Sequence, residues 1–186
     1  MSLGFRVKSG WAAAVLLSSS RATPRVTDSR VIELADPAVP HSRQPYHAGF
    51  GAAQTDTGKV DRLVRGIEAF SRNTIAAMVD EYREHHRVRN ATVIVASLTD
   101  PASIANQHMR AHASEGQLFR AVLVDGLRRC GLKVKIVLER EVYELLGKKL
   151  RASPAAAKRK VAALGETQRR WRAEQKVAAA GAWLVG

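Results

Sequence analysis

Two short apolar runs separated by a long connection constrain the fold of this chain most. Residues 92–98 (TVIVASL) are rich in β-branched side chains, and residues 132–138 (LKVKIVL) begin with apolar residues alternating with lysine. Both patterns are typical of strands. The 33 residues between them are too many for a hairpin and enough for a helical crossover. The two strands are therefore predicted to pair in parallel, with a right-handed connection.

Helical patterns surround this unit. Apolar residues recur at three- and four-residue steps over residues 58–87, which predicts a long helix capped by Asp56 or Thr57. Asp100–Pro101 predicts the start of a short helix, and Ser114–Gln117 fits a capping box for the main crossover helix. The predicted fold is α/β: a small, mostly parallel sheet of two to three strands, a long N-terminal helix and a basic C-terminal helix.

Charge is distributed unevenly over the chain, whose formal net charge is +13. Residues 1–27 carry four basic and no acidic residues, and residues 147–186 carry ten basic and two acidic residues. The middle is nearly neutral. Basic extensions on a neutral body are typical of proteins with a polyanionic partner, most often nucleic acid. A basic tail that only keeps the protein soluble is the alternative.

Composition and the positions of proline and glycine divide the chain into segments. Residues 1–27 combine arginine, serine and alanine without an acid, which is typical of a mitochondrial presequence; a secretory signal and a retained basic arm are the alternatives. The localisation predicted is the mitochondrial matrix. Residues 28–58 form an irregular Pro/Gly extension, residues 59–152 an α/β domain with its leading helix, and residues 153–186 a basic helical extension with a possible final strand. No apolar run is long enough to span a membrane.

Metal ligands and cofactor motifs are not predicted. Cys130 is the only cysteine, so neither a disulfide nor a cysteine zinc cluster can form within the chain. His41 and His47 fall in the irregular segment and are interpreted as solvated loop residues. His108 and His112 have the spacing of a helical metal pair, but the short helix is predicted to end between them, and no third ligand accompanies them.

No catalytic residues are predicted, because no Walker loop, nucleophile elbow, dinucleotide-binding motif or zinc-protease motif occurs. No small-molecule substrate is evident. A small enzyme remains an alternative, and it would need a pocket at the carboxyl ends of the strands. That pocket would lie around Ser97, Thr99, Asp100 and Glu139.

The C-terminal half resembles the anticodon-binding domain of class II aminoacyl-tRNA synthetases over residues 91–186. The matching positions are Arg140, Leu146, Gly147, Lys148, Lys149, Arg151 and the closing Leu184–Gly186. Two extra residues separate Arg140 from Leu146, a long basic helix delays the final strand, and nothing resembles a synthetase catalytic core. The resemblance implies an α/β RNA-binding fold used without aminoacylation.

These observations favour a non-catalytic, RNA-associated component of mitochondrial translation, most simply a ribosomal protein that contacts ribosomal RNA and neighbouring proteins. The alternative is an accessory subunit of another mitochondrial complex. The basic side chains expected to neutralise phosphates are Lys133, Lys135, Lys148, Lys149, Arg151, Lys158, Arg159, Lys160, Arg169, Arg170 and Arg172.

Overall fold

The structure is a computed structural model, and it describes residues 1–18, 23–49, 52–166, 168 and 170–186. Its strands are β1 (Ser2–Lys8), β2 (Trp11–Leu17), β3 (Val26–Glu33), β4 (His47–Gly49), β5 (Ala52–Ala53), β6 (Asn90–Val95) and β7 (Lys133–Leu138). Its α-helices are α1 (Thr57–His85), α2 (Gln107–Arg129), α3 (Val142–Leu150), α4 (Pro154–Ala163) and α5 (Ala173–Val185). Short 3-10 turns occupy Pro101–Ser103 and Glu139–Glu141.

A five-stranded mixed sheet forms the centre of the molecule, in the order β3-β2-β1-β6-β7. β1 pairs antiparallel with β2 and parallel with β6, and β6 pairs parallel with β7 as predicted. The registers align Arg6 with Ile94 and Ile94 with Val137. Because β1, β6 and β7 run in the same direction, their carboxyl ends meet at one edge of the sheet.

The prediction of a two- to three-stranded, mostly parallel sheet is wrong, because the N-terminal segment supplies the missing strands. Leu3, Phe5 and Val7 alternate along β1 and are buried on one face, which is the period of a strand rather than of a helix. Gly10, at a φ of 82°, makes the tight turn into β2. Removal of residues 1–27 would therefore delete two buried strands. The mitochondrial location stays a prediction.

Segments predicted as irregular or helical also differ from expectation. Residues 28–58 contain most of β3, the short β4–β5 hairpin and the start of α1, which is capped by the Asp56 side chain. The crossover helix α2 starts at Gln107 behind an Asn106 cap and continues through the predicted capping box at Ser114–Gln117. The prediction that a helix ends between His108 and His112 is therefore wrong.

Helices cover both faces of the sheet. The face carrying Leu3, Phe5 and Val93 packs with α1 and α2 into one core, which includes Ile75 and Phe119. On the other face α3, α4 and α5 form a second, alanine-rich core. No described helix has the length and apolarity needed to cross a membrane.

The final helix, α5, lies unusually close to β1. A Cβ atom on Gly4 would lie 1.9 Å from the carbonyl oxygen of Ala178, so only glycine permits this approach. Residues 180–186, predicted as a possible final strand, instead form the end of α5. The basic helix predicted from residue 153 is divided into α4 and α5. Lys149 Nζ donates to the carbonyls of Trp183, Leu184 and Gly186 at 2.9, 3.1 and 2.8 Å, which caps α5.

Candidate functional site: a cationic pocket beside a histidine cluster

A pocket of about 270 Å³ opens at the carboxyl ends of β1 and β6. Open α/β sheets bind ligands at this edge, because the strand ends and the loops that follow them leave a crevice there. The side chains lining it include three cations, Arg6, Lys8 and Arg120, and none of the residues lining it is acidic. Ser97 and Thr99 add hydroxyl groups. The pocket is therefore built to receive an anion.

Arg6 supplies a fixed positive charge at the inner wall. Its side chain is only 5% exposed, and its Nη2 lies 2.5 Å from Glu139 Oε2 at the end of β7. Nη1 donates to the Val7 carbonyl, while the buried Nε has no hydrogen-bond partner in the described structure. The Arg6 guanidinium therefore has one donor that is not used within the described structure.

The other two cations lie closer to solvent. Lys8 follows on the same strand face as Arg6, and its Nζ is 3.9 Å from Glu174 Oε1 at the start of α5. Arg120 on α2 donates from Nη1 to the Ser97 carbonyl at 3.3 Å, which holds its head over the loop after β6. Ser97 Oγ in turn lies 2.7 Å from Thr99 Oγ1. Pairing of β1 with β6 therefore brings cations and hydroxyls from distant parts of the sequence together.

Three histidines lie beside this pocket. His108 and His112 are one turn apart on α2, and Glu115 follows three residues later on the same helix face. His47, the first residue of β4, is brought against them because β5 of the same hairpin packs on α2. His112 belongs both to this cluster and to the lining of the cationic pocket.

The ring nitrogens of the cluster are close together. One nitrogen from each of His47, His108 and His112 lies within 4.8 Å of the others, and His108 Nε2 is 3.2 Å from His112 Nε2. His47 Nδ1 lies 2.6 Å from Glu115 Oε1, and both of these side chains are buried. His47 Nε2 and His108 Nδ1 are buried without a hydrogen-bond partner in the described structure.

Burial changes the protonation of the groups in this cluster. Removal from water raises the pKa of the Glu115 carboxyl, an effect that the hydrogen bond with His47 opposes. Burial also lowers the pKa of His112, and the charges of His47 and His108 lower it further. Neutral imidazole, which offers a free lone pair, is therefore favoured at His112 near neutral pH.

The basic residues predicted to bind RNA do not converge on this pocket. Lys133 and Lys135 lie exposed on the edge strand β7, Lys148 pairs with Glu144, and Lys149 caps α5. Arg151 follows α3 in a left-handed conformation. The exposed side chains on α4 and before α5 are Lys158, Arg159, Lys160, Arg170 and Arg172, and Arg169 lies outside the described residues. Their binding to nucleic acid stays a prediction.

Sequence reasoning missed the residues that the fold brings together. Local composition places Arg6 and Lys8 in a presequence-like segment and gives no reason to select Arg120. It predicts His47 to be a solvated loop residue, although the structure buries it. Two signals are present in the sequence. The alternative pocket around Ser97, Thr99, Asp100 and Glu139 is one, and Ser97 and Thr99 of that set line the observed pocket. The helical spacing of His108 and His112 is the other.

The structure thus defines a three-layer α/β protein with a mixed five-stranded sheet and a cationic pocket at its carboxyl edge. Two solved structures from Thermus thermophilus share this fold. RuvC matches with a TM-score of 0.55 and 13% identity over 98% of this chain and 90% of that one. RuvC in complex with a Holliday junction substrate matches with a TM-score of 0.56 and 13% identity over 98% of this chain and 89% of that one. Comparison with family models and with curated proteins finds no match.

These neighbours correct several expectations. The resemblance to an anticodon-binding domain is wrong, because the fold is that of RuvC. The expectation of a non-catalytic ribosomal component that acts in translation is overturned by the same comparison, and RNA as the partner is not confirmed. The neighbours are RuvC rather than ribosomal proteins, and one is solved with a DNA junction named as its substrate. The alternative of an accessory subunit is not better supported.

Proposed function

We propose that this chain is a nuclease-class protein that acts on branched DNA, with a phosphodiester group bound in the cationic pocket. The observation that carries the proposal is the position of Arg6, Lys8 and Arg120 around one pocket at the carboxyl edge of β1 and β6. Ligands bind at this edge in open α/β sheets, and three cations without an acidic lining residue select for an anion.

The chemistry of the pocket suits a phosphodiester group. Guanidinium groups match the geometry of phosphate oxygens, and a charge-assisted hydrogen bond is about twice as strong as a neutral one. Arg6 is buried and held in place by Glu139, whose carboxylate offsets part of its charge. Arg120 has no acidic partner at salt-bridge distance among the described residues and is the freer charge. Ser97 and Thr99 offer hydroxyl donors on the rim. Positive charges fixed in advance also stabilise the negative charge that grows on phosphoryl oxygens during hydrolysis.

Two further observations support DNA as the polyanion. The chain carries a formal net charge of +13, which favours association with nucleic acid in general. The neighbour with a TM-score of 0.56 is described as a complex with a Holliday junction substrate, which is a four-way DNA junction.

Binding is tested by fluorescence anisotropy with a labelled four-way junction and a linear duplex of the same sequence, both in EDTA. We expect tighter binding of the junction. Lys8→Ala and Arg120→Ala should each weaken it about tenfold, as expected for one lost charge-assisted hydrogen bond. Each change should also reduce the salt slope by about 0.9.

The matched control is Arg65→Ala. Arg65 is exposed on α1 and does not line the pocket, so its loss should change junction affinity much less. Equal losses for Arg65→Ala and Arg120→Ala would contradict binding in the pocket. Equal affinity for junction and duplex would contradict recognition of branches.

Cleavage is tested separately with end-labelled junctions on denaturing gels, with divalent metal ions added one at a time. We expect the wild-type protein to cut strands of the junction. The Arg120→Ala variant should leave the strands intact even at a saturating protein concentration. Intact strands with every ion, under conditions where the junction is bound, would reject the nuclease proposal and leave DNA binding standing.

A further inference from the structure

We propose that His47, His108 and His112 form a site for one divalent transition-metal ion of the zinc type at the rim of the cationic pocket. The evidence for the metal site is the geometry of the three imidazole rings. Its use in DNA cleavage rests on the function proposed above.

The spacing of the rings fits tetrahedral coordination. Zinc–nitrogen bonds are about 2.0–2.1 Å long, so two ligand nitrogens of a tetrahedral site lie about 3.3 Å apart. His108 Nε2 and His112 Nε2 are already 3.2 Å apart. The three ligand nitrogens lie within 4.8 Å of one another, so a side-chain adjustment of up to about 1.5 Å at His47 closes the site.

Buried nitrogens without partners point to a missing ligand. His47 is 5% exposed, and its Nε2 has no hydrogen-bond partner in the described structure. Its ring centroid lies 4.4 Å from that of His112 and 5.1 Å from that of His108. Burying a polar nitrogen without a partner is costly, and a metal ion bound to Nε2 would remove that cost for His47.

Glu115 has the position of a residue that orients a metal ligand. Its Oε1 lies 2.6 Å from His47 Nδ1, which leaves Nε2 as the free nitrogen of that ring. Histidines that bind metals usually donate their other N–H to a carboxylate in this way, which fixes the tautomer and strengthens the ligand. The Glu115 side chain is fully buried, and burying a carboxylate is costly unless a partner such as His47 compensates for the lost water.

The ligand set selects the kind of ion. Three imidazole nitrogens suit Zn²⁺ and neighbouring late first-row ions, while Mg²⁺ and Ca²⁺ require oxygen ligands. Three protein ligands also leave a fourth position for water, as in catalytic zinc sites rather than closed structural ones. His112 is 46% exposed on its side chain and lines the cationic pocket, so this position is accessible to a bound substrate.

Such an ion supplies what the cations of the pocket lack, which is an activated water. Zinc lowers the pKa of its water to about 7, and the released proton passes to solvent. The resulting hydroxide oxygen forms a bond to phosphorus, and the bond from phosphorus to one sugar oxygen breaks. That oxygen takes up a proton, so one water is consumed and a phosphate monoester and an alcohol end are produced.

The site is tested on the full chain after removal of metal with EDTA. Equilibrium dialysis against Zn²⁺ should give one ion per chain, and Co²⁺ should give the visible absorption bands of a tetrahedral site. His112→Asn and His47→Ala should each weaken Zn²⁺ binding more than about 100-fold, and Glu115→Gln should weaken it about 10- to 100-fold. His112→Asn is the more informative variant, because the exposed ring can be replaced without opening the core.

The matched control is His85→Ala, which removes an exposed histidine at the end of α1 and should leave Zn²⁺ binding unchanged. Sub-stoichiometric binding, or binding equal in wild type and His112→Asn, would overturn the site. Stoichiometric Zn²⁺ without junction cleavage would keep the site and reject the nuclease function. Cleavage by a protein that binds no Zn²⁺ would reject the site and keep the function.

Discussion

The contact between Gly4 and α5 makes the sharpest prediction about stability. In Gly4→Ala the new methyl carbon would meet the Ala178 carbonyl oxygen at 1.9 Å and the Ala182 nitrogen at 2.5 Å. Both are backbone atoms of a helix, so no side-chain rotation relieves the overlap. α5 would have to withdraw from β1 by about 1.5 Å to restore an ordinary contact distance.

That withdrawal would loosen a whole layer, because the residues of α5 from Val177 to Trp183 are buried against the sheet. Overpacking of a core typically costs about 1–3 kcal/mol. A substitution that forces a helix backbone to move is expected to cost as much as the upper end of that range or more. We expect Gly4→Ala to lower the free energy of unfolding by at least about 3 kcal/mol. Urea denaturation followed by tryptophan fluorescence measures this, with Trp183 reporting on the layer itself.

The same substitution at Gly66 is the control. Gly66 lies inside α1, and a Cβ atom there would meet nothing within 4 Å. Gly66→Ala should therefore raise stability by about 0.5–1 kcal/mol through the higher helix propensity of alanine. A Gly4→Ala protein that loses less than about 1 kcal/mol would refute the close packing of α5 on β1.

Two further predictions concern charge and protonation. Lys149→Met removes three hydrogen bonds to the end of α5 and should cost about 1–2 kcal/mol. Lys148→Met removes only a surface pair with Glu144 and should cost much less, so equal losses in urea melts would contradict the capping role. Burial raises the pKa of Tyr46, Tyr82 and Tyr143 above the usual value of 10.0. In the unfolded chain these tyrosines ionise near pH 10, whereas in the folded protein they ionise only at higher pH. The free energy of unfolding is therefore unaffected by them below about pH 10, and above it falls by up to about 1.4 kcal/mol per pH unit and per tyrosine. Absorbance at the phenolate band should stay low in the folded protein until unfolding begins, and full ionisation near pH 10 in the native state would show that the rings are accessible to water.

The parts of the fold visible in the sequence are those with strong local patterns. The β6–α2–β7 unit and α1 follow from apolar periodicity and from caps such as Asp56 and Asp100, whose side chains do accept the expected backbone N–H groups. β2 has no such pattern, because WAAAVLL is buried on both faces and its small residues leave room for α5. The alanine, serine and arginine of residues 1–27 are more typical of a presequence than of a central strand.

The candidate site was less predictable, because it is assembled only by long-range pairing. Arg6 meets Glu139 through the order of three strands, and His47 reaches α2 through a hairpin of five described residues. Neither the helical spacing of His108 and His112 nor the acid at Glu115 indicates a third ring from another segment. Local sequence patterns do not predict contacts between residues that are this far apart in the chain. The edge of the pocket at Ser97 and Thr99 was predictable, because sites in parallel sheets generally lie at the carboxyl ends of the strands.

The arrangement of the central strand also bears on how the chain folds. Besides its local partner β2, β1 pairs through Ser2 with Asn90 and is covered by α5 through Gly4 and Ala178, and these two partners lie far along the sequence. A topology dominated by such distant contacts folds slowly, since the entropy of closing long loops is lost before the contacts form. On the ribosome, β1 and β2 emerge early with an apolar face that no helix covers until α5 has been synthesised. We therefore expect the nascent chain to depend on chaperones or slow collapse for longer than a helical bundle of the same length would.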